Sequence, residues 1–263
     1  MSLRASPWPP GVPCWVDMTA PDVAAAKEFY ADVLGWTYAE TEAEYGGYAI
    51  SEVRGSAVAG IGPQQEGAPP AWTLYLSSDD ADATAEAITQ HGGIVMLPPG
   101  DVGELGRMLI AVDPAGAAFG VWQAGSHIGA ALVNEPGGLT WEDLRSHDPD
   151  TARDFYTAVF GYRTEPMAEA GPDYHTFALP DDDAPLGGMG GMMGAEGQPA
   201  HWLVYFAVAD AAAAITATER GGGSVLMRDF ETPYGRMAGL MDPAGAVFWI
   251  VQNDGDGQPD RGE

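Results

Sequence analysis

The sequence predicts an α+β protein built from four strand–helix–strand–strand–strand modules, and two observations lead to this. Landmarks of the first half return in the same order in the second: Phe29-Tyr30 as Phe155-Tyr156, and Asp113-Pro114-Ala115-Gly116 as Asp242-Pro243-Ala244-Gly245. Within each half, two helix-like segments are each flanked by short runs typical of β-strands. A repeat this long indicates two copies of a whole domain rather than a short solenoid unit.

The elements of the first half follow from local signals. Asp22 precedes an apolar helical pattern and is the expected N-terminal cap of the first helix, which Gly35 ends. The second helix stops at Gly92-Gly93. The predicted helices are Val23–Val33 and Ala81–His91, and the predicted strands are Pro13–Met18, Tyr45–Val53, Ser56–Gly62, Trp72–Leu76, Ile94–Leu97, Arg107–Val112 and Ala117–Gln123.

The chain of 263 residues divides into two domains of ordinary size. We expect a flexible N-terminus over residues 1–12 and a first domain over 13–123. A linker over 124–138 leads to a second domain over 139–252. The polar stretch 253–263 is expected to be a disordered tail.

Composition narrows the classes of function. The formal net charge is −27 and the sequence pI is near 4.1, so the chain repels nucleic acid and anionic membrane surfaces. The simplest explanation of this net charge is solubility. The alternative is that the charge attracts a cationic or amine-bearing ligand. No run of about 18 apolar residues and no secretion signal are present, so we expect a cytoplasmic monomer or homodimer. Cys14, the single cysteine, allows neither an intrachain disulfide nor a thiolate cluster.

The motifs together resemble one superfamily. They are Val16-Asp17-Met18-Thr19-Ala20-Pro21-Asp22, Phe29-Tyr30, Leu34-Gly35-Trp36, Gly106-Arg107-Met108 and Asp113-Pro114-Ala115-Gly116, with second copies after residue 138. This set resembles the vicinal oxygen chelate superfamily, which includes glyoxalase I, bleomycin-resistance proteins and extradiol dioxygenases, and is most similar to its two-domain actinobacterial hydroxylase or glyoxalase-like type. The resemblance implies that the modules pair into two cup-shaped, mixed-sheet domains, each with one cavity.

The resemblance also implies four metal-ligand positions in each cup, where His, Glu or Gln would suit a metal ion. In the first half these positions hold Trp15, Thr73, Gly120 and a residue near Gly60. In the second half they hold Trp141, Leu203, Trp249 and a residue near Met189. We therefore expect no metal and no cofactor, and a metal-dependent glyoxalase or dioxygenase is the least favoured function.

Alternation along strands predicts what lines the cups instead. The candidate acid–base residues are Asp17, Asp143, Tyr75 and Tyr205. The candidate ligand-binding residues are Trp15, Thr19, Trp72, Thr73, Phe119, Trp141, Arg145 and Trp249. Each has a structural alternative: the aromatic rings fill the core, the tyrosines make structural hydrogen bonds, and Asp143 pairs with Arg145. Asp17 has no such neighbour and is a candidate general base.

The remaining motifs leave two hypotheses. The five histidines, His127 in the linker among them, are expected to be surface or strand-end residues, and no serine-hydrolase, P-loop or Rossmann motif follows a predicted strand. The run Met189–Met193 is either a tight strand or an adaptable pocket wall. We expect a metal-independent protein that binds a small aromatic or amphiphilic metabolite, in sequestration, resistance or secondary metabolism. The alternative is a metal-free isomerase, cyclase, hydroxylase or aldehyde-handling lyase. In either case the first cup is expected to be the main cavity.

Overall fold

The computed structural model describes residues 3–39, 46–194 and 197–253. Over these residues the chain forms two mixed β-sheets of eight strands each, together with four α-helices. The α+β class and the tandem repeat predicted from the sequence are therefore confirmed.

The first sheet has the strand order β2-β3-β4-β1-β5-β8-β7-β6. Its elements are β1 (Pro13–Ala20), α1 (Val23–Leu34), β2 (Thr37–Tyr38), β3 (Ala49–Val53), β4 (Ser56–Pro63), β5 (Ala71–Ser77), α2 (Ala81–Gln90), β6 (Ile94–Val102), β7 (Gly106–Val112) and β8 (Ala118–Ala124). Strand β1 is parallel to β4 and antiparallel to β5, which is in turn parallel to β8. Four strands from two modules thus meet at the centre of the sheet.

The second sheet repeats this arrangement in the order β10-β11-β12-β9-β13-β16-β15-β14. Its elements are β9 (Leu139–Arg145), α3 (Pro149–Phe160), β10 (Arg163–Pro166), β11 (His175–Ala178), β12 (Gly187–Gly190), β13 (His201–Ala207), α4 (Ala211–Arg220), β14 (Ser224–Thr232), β15 (Gly235–Met241) and β16 (Val247–Gln252). All four residues of β12 are buried, and β12 lies parallel to β9. The Gly-Met run therefore contributes a tight central strand.

Each of the four helices begins at an aspartate whose side chain accepts a hydrogen bond from a backbone N–H in the first turn. Asp22 accepts from Ala25, which confirms the predicted cap. The other caps, one per module, are Asp80, Asp148 and Asp210. A carboxylate at this position satisfies a free amide and favours the helix dipole, so the same local signal starts the helix in every module.

The two domains share one hydrophobic core, formed where the inner faces of the sheets and the helices meet. The ring of Phe29 on α1 lies 6.3 Å from that of Phe248 on β16 in the other domain. In the mirrored contact, Phe155 on α3 lies 6.0 Å from Phe119 on β8. Edge-to-face aromatic pairs of this kind stabilise a core beyond their buried area.

The repeated landmarks of the sequence touch each other across this interface. Tyr30 of the first domain donates a hydrogen bond to Asp242 Oδ2 in the turn of the second, at 3.1 Å. Tyr156 of the second domain faces Asp113 of the first; burial raises the pKa of the Tyr156 hydroxyl, and the charge of Asp113 raises it further. In each case the tyrosine of a Phe-Tyr motif in one domain meets the aspartate of an Asp-Pro-Ala-Gly turn in the other. The two motifs thus recur together because they form the same contact twice.

Two predicted ligand contacts belong to this core instead. Trp72 donates its indole N–H to the Tyr30 hydroxyl at 3.2 Å, and its ring lies 5.1 Å from that of Phe206. Phe119 is completely buried. Both predictions are corrected, because side chains alternate along a strand and the neighbours Thr73 and Gly120 occupy the opposite face. We call that opposite face, which carries Asp17 in the first sheet and Asp143 in the second, the cup face.

The segments outside the sheets are also packed where they are described. Over residues 3–12, within the stretch expected to be flexible, the chain contacts both the first domain, where the Gly11 N–H donates to the Ser77 carbonyl at 2.8 Å, and the linker. Trp8 is 3% exposed and donates its indole N–H to the Ala130 carbonyl at 3.0 Å. A tryptophan that buries its ring and satisfies its N–H holds such a segment in place. The predicted tail lies outside the described residues from 254 onward. Of the described helices, none has the length and apolar character that crossing a bilayer requires.

The interface predicts the effect of removing one hydroxyl. Tyr30→Phe takes a donor from Asp242, a carboxylate that is 3% exposed. We expect the free energy of unfolding to fall by about 1–3 kcal/mol in urea denaturation. Tyr234→Phe, at a tyrosine that is 46% exposed, is the matched control and should change stability by less than about 0.5 kcal/mol. Equal effects of the two variants would contradict a role for the interface contact.

Candidate functional site

The cup face of the first sheet carries a cluster of hydrogen-bonded polar groups around Asp17. Tyr75, from the neighbouring strand β5, donates to Asp17 Oδ2 at 3.0 Å. Tyr48, which directly precedes β3, donates to the same oxygen at 3.3 Å. The indole N–H of Trp15 donates to the Tyr48 hydroxyl at 2.9 Å. We call Trp15, Asp17, Tyr48 and Tyr75 the first cluster.

Two glycines leave the room that the tyrosine rings occupy. Gly60 on β4 lies beside Asp17, and a Cβ at this position would lie 1.8 Å from the Tyr48 hydroxyl oxygen. Gly120 on β8 lies beside Tyr75, and a Cβ there would lie 2.2 Å from the Tyr75 ring. Neither position has room for a side chain. The phenol rings of Tyr48 and Tyr75 occupy the space that a side chain at Gly60 or Gly120 would need.

The second sheet carries the same cluster. Tyr205 donates to Asp143 Oδ2 at 2.7 Å, and Tyr174 donates to Asp143 Oδ1 at 2.6 Å. Trp141 places its indole N–H 3.0 Å from Asp143 Oδ1. A Cβ at Gly188 would lie 1.8 Å from the Tyr174 hydroxyl oxygen, as at Gly60 in the first sheet. We call Trp141, Asp143, Tyr174 and Tyr205 the second cluster.

The two clusters differ in one charged group. Arg145 forms an ion pair with Asp143 at 2.6 Å, which confirms the predicted pair, and its guanidinium lies 5.6 Å from the centre of the Tyr174 ring. The corresponding residue in the first sheet is Thr19. Among the residues that the structure describes, no Lys or Arg forms an ion pair with Asp17.

This difference shows in the electrostatics. Burial raises the pKa of Asp17 from the usual 3.8 to about 7, although its hydrogen bonds from Tyr75 and Tyr48 act in the opposite direction. Burial also raises the pKa of both tyrosines well above 10, and the charge of Asp17 adds to the effect. The tyrosines are therefore neutral donors, while Asp17, half-buried on β1, exchanges its proton near neutral pH.

An apolar band lies beside the first cluster. Along β7, Met108, Ile110 and Val112 are half-buried and alternate with fully buried Leu109 and Ala111, so the first three share the cup face. Ile110 pairs with Gly120 on one side and with β6 on the other. Two side chains on β6, at positions 94 and 97, are 61% and 46% exposed. Large apolar side chains left open beside a polar cluster are typical of a ligand site.

The second cup is filled further. Trp249, which stands where the first sheet has Gly120, lies 5.5 Å from the Tyr205 ring in a tilted arrangement. Phe230 on β14 contacts Trp249 edge-on at 6.3 Å. The rings of Tyr205 and Trp249 pack with Leu203 into a small hydrophobic cluster on the cup face of the second sheet.

Sequence reasoning placed most, but not all, of these residues. Trp15, Asp17 and Tyr75 meet in the first cup as predicted, and half-buried Thr19 and Thr73 flank them on the same face. In the second cup the predicted residues Trp141, Asp143, Arg145, Tyr205 and Trp249 also lie together. Tyr48 and Tyr174 were missed. Their separation of 126 residues, the same as for the two aspartates, marks them as equivalent positions of the repeat but does not place them beside the aspartates.

His127 is a third residue that sequence reasoning missed. Expected as a surface residue of the linker, it packs its ring edge-on against Trp15 at 4.5 Å and against Trp122 at 5.6 Å. Burial lowers its pKa to about 4, so the imidazole is neutral at physiological pH. Its position behind Trp15 depends on how the linker packs against the first domain, and no local sequence pattern predicts this packing.

Comparison with known proteins agrees with this architecture. The family model described as "Glyoxalase/Bleomycin resistance protein/Dioxygenase superfamily" matches residues 14–121 and 138–250. The chain belongs to this superfamily. Among solved structures, the Mn(II)-bound glyoxalase from Novosphingobium aromaticivorans aligns over 97% of this chain and 86% of that one, with a TM-score of 0.67 and 17% identity, which shows the shared fold.

Two named relatives are closer in sequence. The chain is 42% identical to "Putative glyoxylase CFP32" of Mycobacterium tuberculosis over 258 residues, covering 95% of this chain and 97% of the relative. It is 38% identical to "Anthracycline biosynthesis protein DnrV" of Streptomyces peucetius, covering 92% and 94%.

Metal-binding members of this superfamily raise the question of whether these cups fit a metal ion. In the first cup the family positions hold an indole, a threonine and glycines, and Asp17 is surrounded by neutral phenols. Within the described residues, no three or more His, Cys, Asp or Glu side chains group as metal ligands. A catalytic metal needs about three such ligands and an open position, so the donors present do not fit one.

The raised pKa of Asp17 predicts a pH-dependent stability. Between pH of about 4 and about 7, the native state keeps a proton on Asp17 that the unfolded chain releases, so wild-type stability falls as pH rises through this window. Asp17→Asn has no such proton. The free energy of unfolding of Asp17→Asn, relative to wild type, should therefore increase as the pH rises from about 4 to about 7 and stay constant at higher pH. Because Asp17 is partly exposed, we expect an increase of about 2 kcal/mol.

Denaturation of both proteins at several pH values measures this difference. Asp143→Asn is the contrasting variant, because it leaves buried Arg145 without its partner and should destabilise the protein by about 3–5 kcal/mol. A difference between Asp17→Asn and wild type that stays constant from pH 4 to 8 would disprove the assignment.

Proposed function

We propose that this chain is a metal-independent member of the superfamily that binds a small aromatic or amphiphilic molecule in the first cup. The observation that carries the proposal is the first cluster itself. Tyr48 and Tyr75 lie over Gly60 and Gly120, so hydrogen-bonding side chains occupy the place where metal ligands would project.

The lining of the first cup supports an aromatic or amphiphilic ligand. The half-buried ring of Tyr48 and the apolar band on β7 offer surface that is not fully covered, whereas Trp15 and Tyr75 are buried. Thr73 and Asp17 add a few polar anchors beside them. Binding sites for small molecules combine these features: mostly apolar walls with a small number of converging polar groups.

The second cup supports a division of roles. Arg145 satisfies Asp143 from within the protein, and Trp249 fills the space above the strand that corresponds to β8. Fewer groups there remain free for a ligand, so the second cup chiefly stabilises its domain. The name of the relative from anthracycline biosynthesis supports a planar polycyclic ligand and a place in secondary metabolism. We place this function in the cytoplasm.

Binding of a neutral planar quinone, such as an anthracycline aglycone, tests the proposal by isothermal titration calorimetry. We expect a dissociation constant of about 1–100 μM that EDTA does not change. Thr73→Phe should weaken binding about tenfold by filling the first cup, which corresponds to about 1.4 kcal/mol.

Leu203→Phe, the corresponding change in the second cup, is the matched control and should leave binding unchanged. Loss of binding in EDTA, or stoichiometric Fe, Ni, Zn or Mn in the purified protein, would overturn metal independence. Binding that only Leu203→Phe weakens would move the site to the second cup.

A second candidate is a metal-free enzyme with Asp17 as general base. The pKa of Asp17 near 7 favours it, because a base whose pKa lies near the working pH transfers protons efficiently. The glyoxylase name of the mycobacterial relative indicates a first substrate to try, the adduct of methylglyoxal with a thiol.

Turnover of that adduct in EDTA is the assay. For an enzyme of this kind, Asp17→Asn should lower kcat by about 10²–10⁴, whereas Asp143→Asn should lower it only as far as folding is lost. Turnover that survives Asp17→Asn would rule out the acid–base role.

A further inference from the structure

The internal repeat provides a template for what the first cup lacks. Trp15, Asp17 and Tyr48 correspond to Trp141, Asp143 and Tyr174, each 126 residues apart, and the hydroxyl of Tyr75 bonds Asp17 as that of Tyr205 bonds Asp143. The two clusters therefore hold equivalent aspartates in equivalent surroundings. At the same separation of 126, Thr19 of the first cup corresponds to Arg145 of the second.

In the second cup the carboxylate is fully used. Asp143 Oδ1 accepts from Tyr174 and Trp141, and Oδ2 accepts from Tyr205 and Arg145. The Arg145 side chain is only 9% exposed and lies over the Tyr174 ring. A buried carboxylate is stable when an opposite charge and several donors compensate it, and this cluster supplies both.

In the first cup the equivalent carboxylate, Asp17, accepts hydrogen bonds at only one of its two oxygens in the described part of the chain. Both tyrosine hydroxyls donate to Asp17 Oδ2, and within the described part of the chain no hydrogen bond reaches Oδ1. Thr19 is neutral, shorter than arginine, and half-buried. Thr19 therefore gives Asp17 no counterpart of the guanidinium that pairs with Asp143 in the second cup.

We propose that the ligand of the first cup carries a cationic head, an ammonium or guanidinium group, which binds Asp17 and the face of Tyr48 at the position that Arg145 takes in the second cup. This inference rests on the proposed function and specifies its ligand class: an aromatic or amphiphilic body attached to a cation. The body contacts the apolar band, and the head completes the cluster.

Two general forces support this class. A cation over a tyrosine ring is attracted by its π-electrons, as Arg145 is over Tyr174. The net charge of −27 produces a field that concentrates cations near the surface and steers them towards the protein.

Binding of a cation should also release a proton. Since the pKa of Asp17 is about 7, a bound positive charge favours the ionised form, and affinity should rise with pH through this value. The other described titratable groups near Asp17 do not change charge there. Burial raises the pKa of Tyr48, Tyr75 and Cys14 and holds that of His127 near 4.

The test compares phenethylguanidinium with its neutral isostere phenethylurea as probes. Both are titrated into the full-length protein while the indole N–H resonance of Trp15 is followed by NMR. We expect the guanidinium to bind about tenfold more tightly, as for a charge-assisted against a neutral hydrogen bond. Thr19→Arg should abolish this preference, because the new side chain occupies the site.

Two variants make the outcome unambiguous. Asp17→Asn keeps the size of the side chain, and should remove the preference even if Thr19→Arg folds poorly. Arg145→Thr, the reverse exchange, should keep the preference in the first cup and create a second guanidinium site, seen as a shift of the Trp141 indole resonance. Equal affinity for the two probes would overturn the cation assignment and leave aromatic binding intact. A preference that persists in Asp17→Asn would overturn it as well. Absence of binding by either probe would count against the proposed function itself.

Discussion

A carboxylate on a sheet face that is largely closed to water must be held by hydrogen bonds, and this requirement organises both cups. Asp17 and Asp143 each accept from two tyrosine hydroxyls that come from different strands or loops. For the rings to reach the carboxylates, the strands below them must lack side chains, which explains the glycines at positions 60, 120 and 188. The tyrosines that compensate the aspartates thus occupy the space above these glycines.

The two cups differ in how the negative charge of the buried aspartate is compensated. The second cup supplies a cation from the protein, Arg145, and adds Trp249 over the neighbouring strand. The first cup leaves Asp17 with two hydroxyl donors and a raised pKa, next to exposed apolar side chains. Because the surrounding tyrosines and tryptophan are the same, the difference lies at Thr19 and Gly120 against Arg145 and Trp249 rather than in the framework. Within the described chain, Asp143 thus has a charged partner and Asp17 has none.

The framework itself depends on contacts between the copies. Tyr30 meets Asp242, and Tyr156 meets Asp113, so each domain closes the turn of the other. The helices that carry these tyrosines lie in a single core shared by both sheets. Since the inner faces are buried against each other, the cup faces are the surfaces on which binding groups can differ without disturbing the core.

Strand alternation explains both the successes and the errors of sequence-based reasoning. It placed Asp17 and Tyr75 on one face, because adjacent strands share the period of two. It equally requires Trp72 and Phe119 to face the core, so their assignment to the ligand site ignored the same rule. Tyr48 was beyond this reasoning, because the register that brings it across β4 to β1 depends on sheet order and not on spacing along the chain.

By itself, the sequence determined the repeat, the modules, the first helix cap and the shared face of Asp17 and Tyr75, because periodicity and capping are local properties of the chain. Only the tertiary structure decided that Tyr48 and Tyr174 complete the clusters and that His127 packs behind Trp15. It likewise decided that the repeated motifs meet across the domain interface. These contacts join residues from 31 to 212 positions apart, and such distances are set by how strands order and sheets pack, which no local pattern encodes.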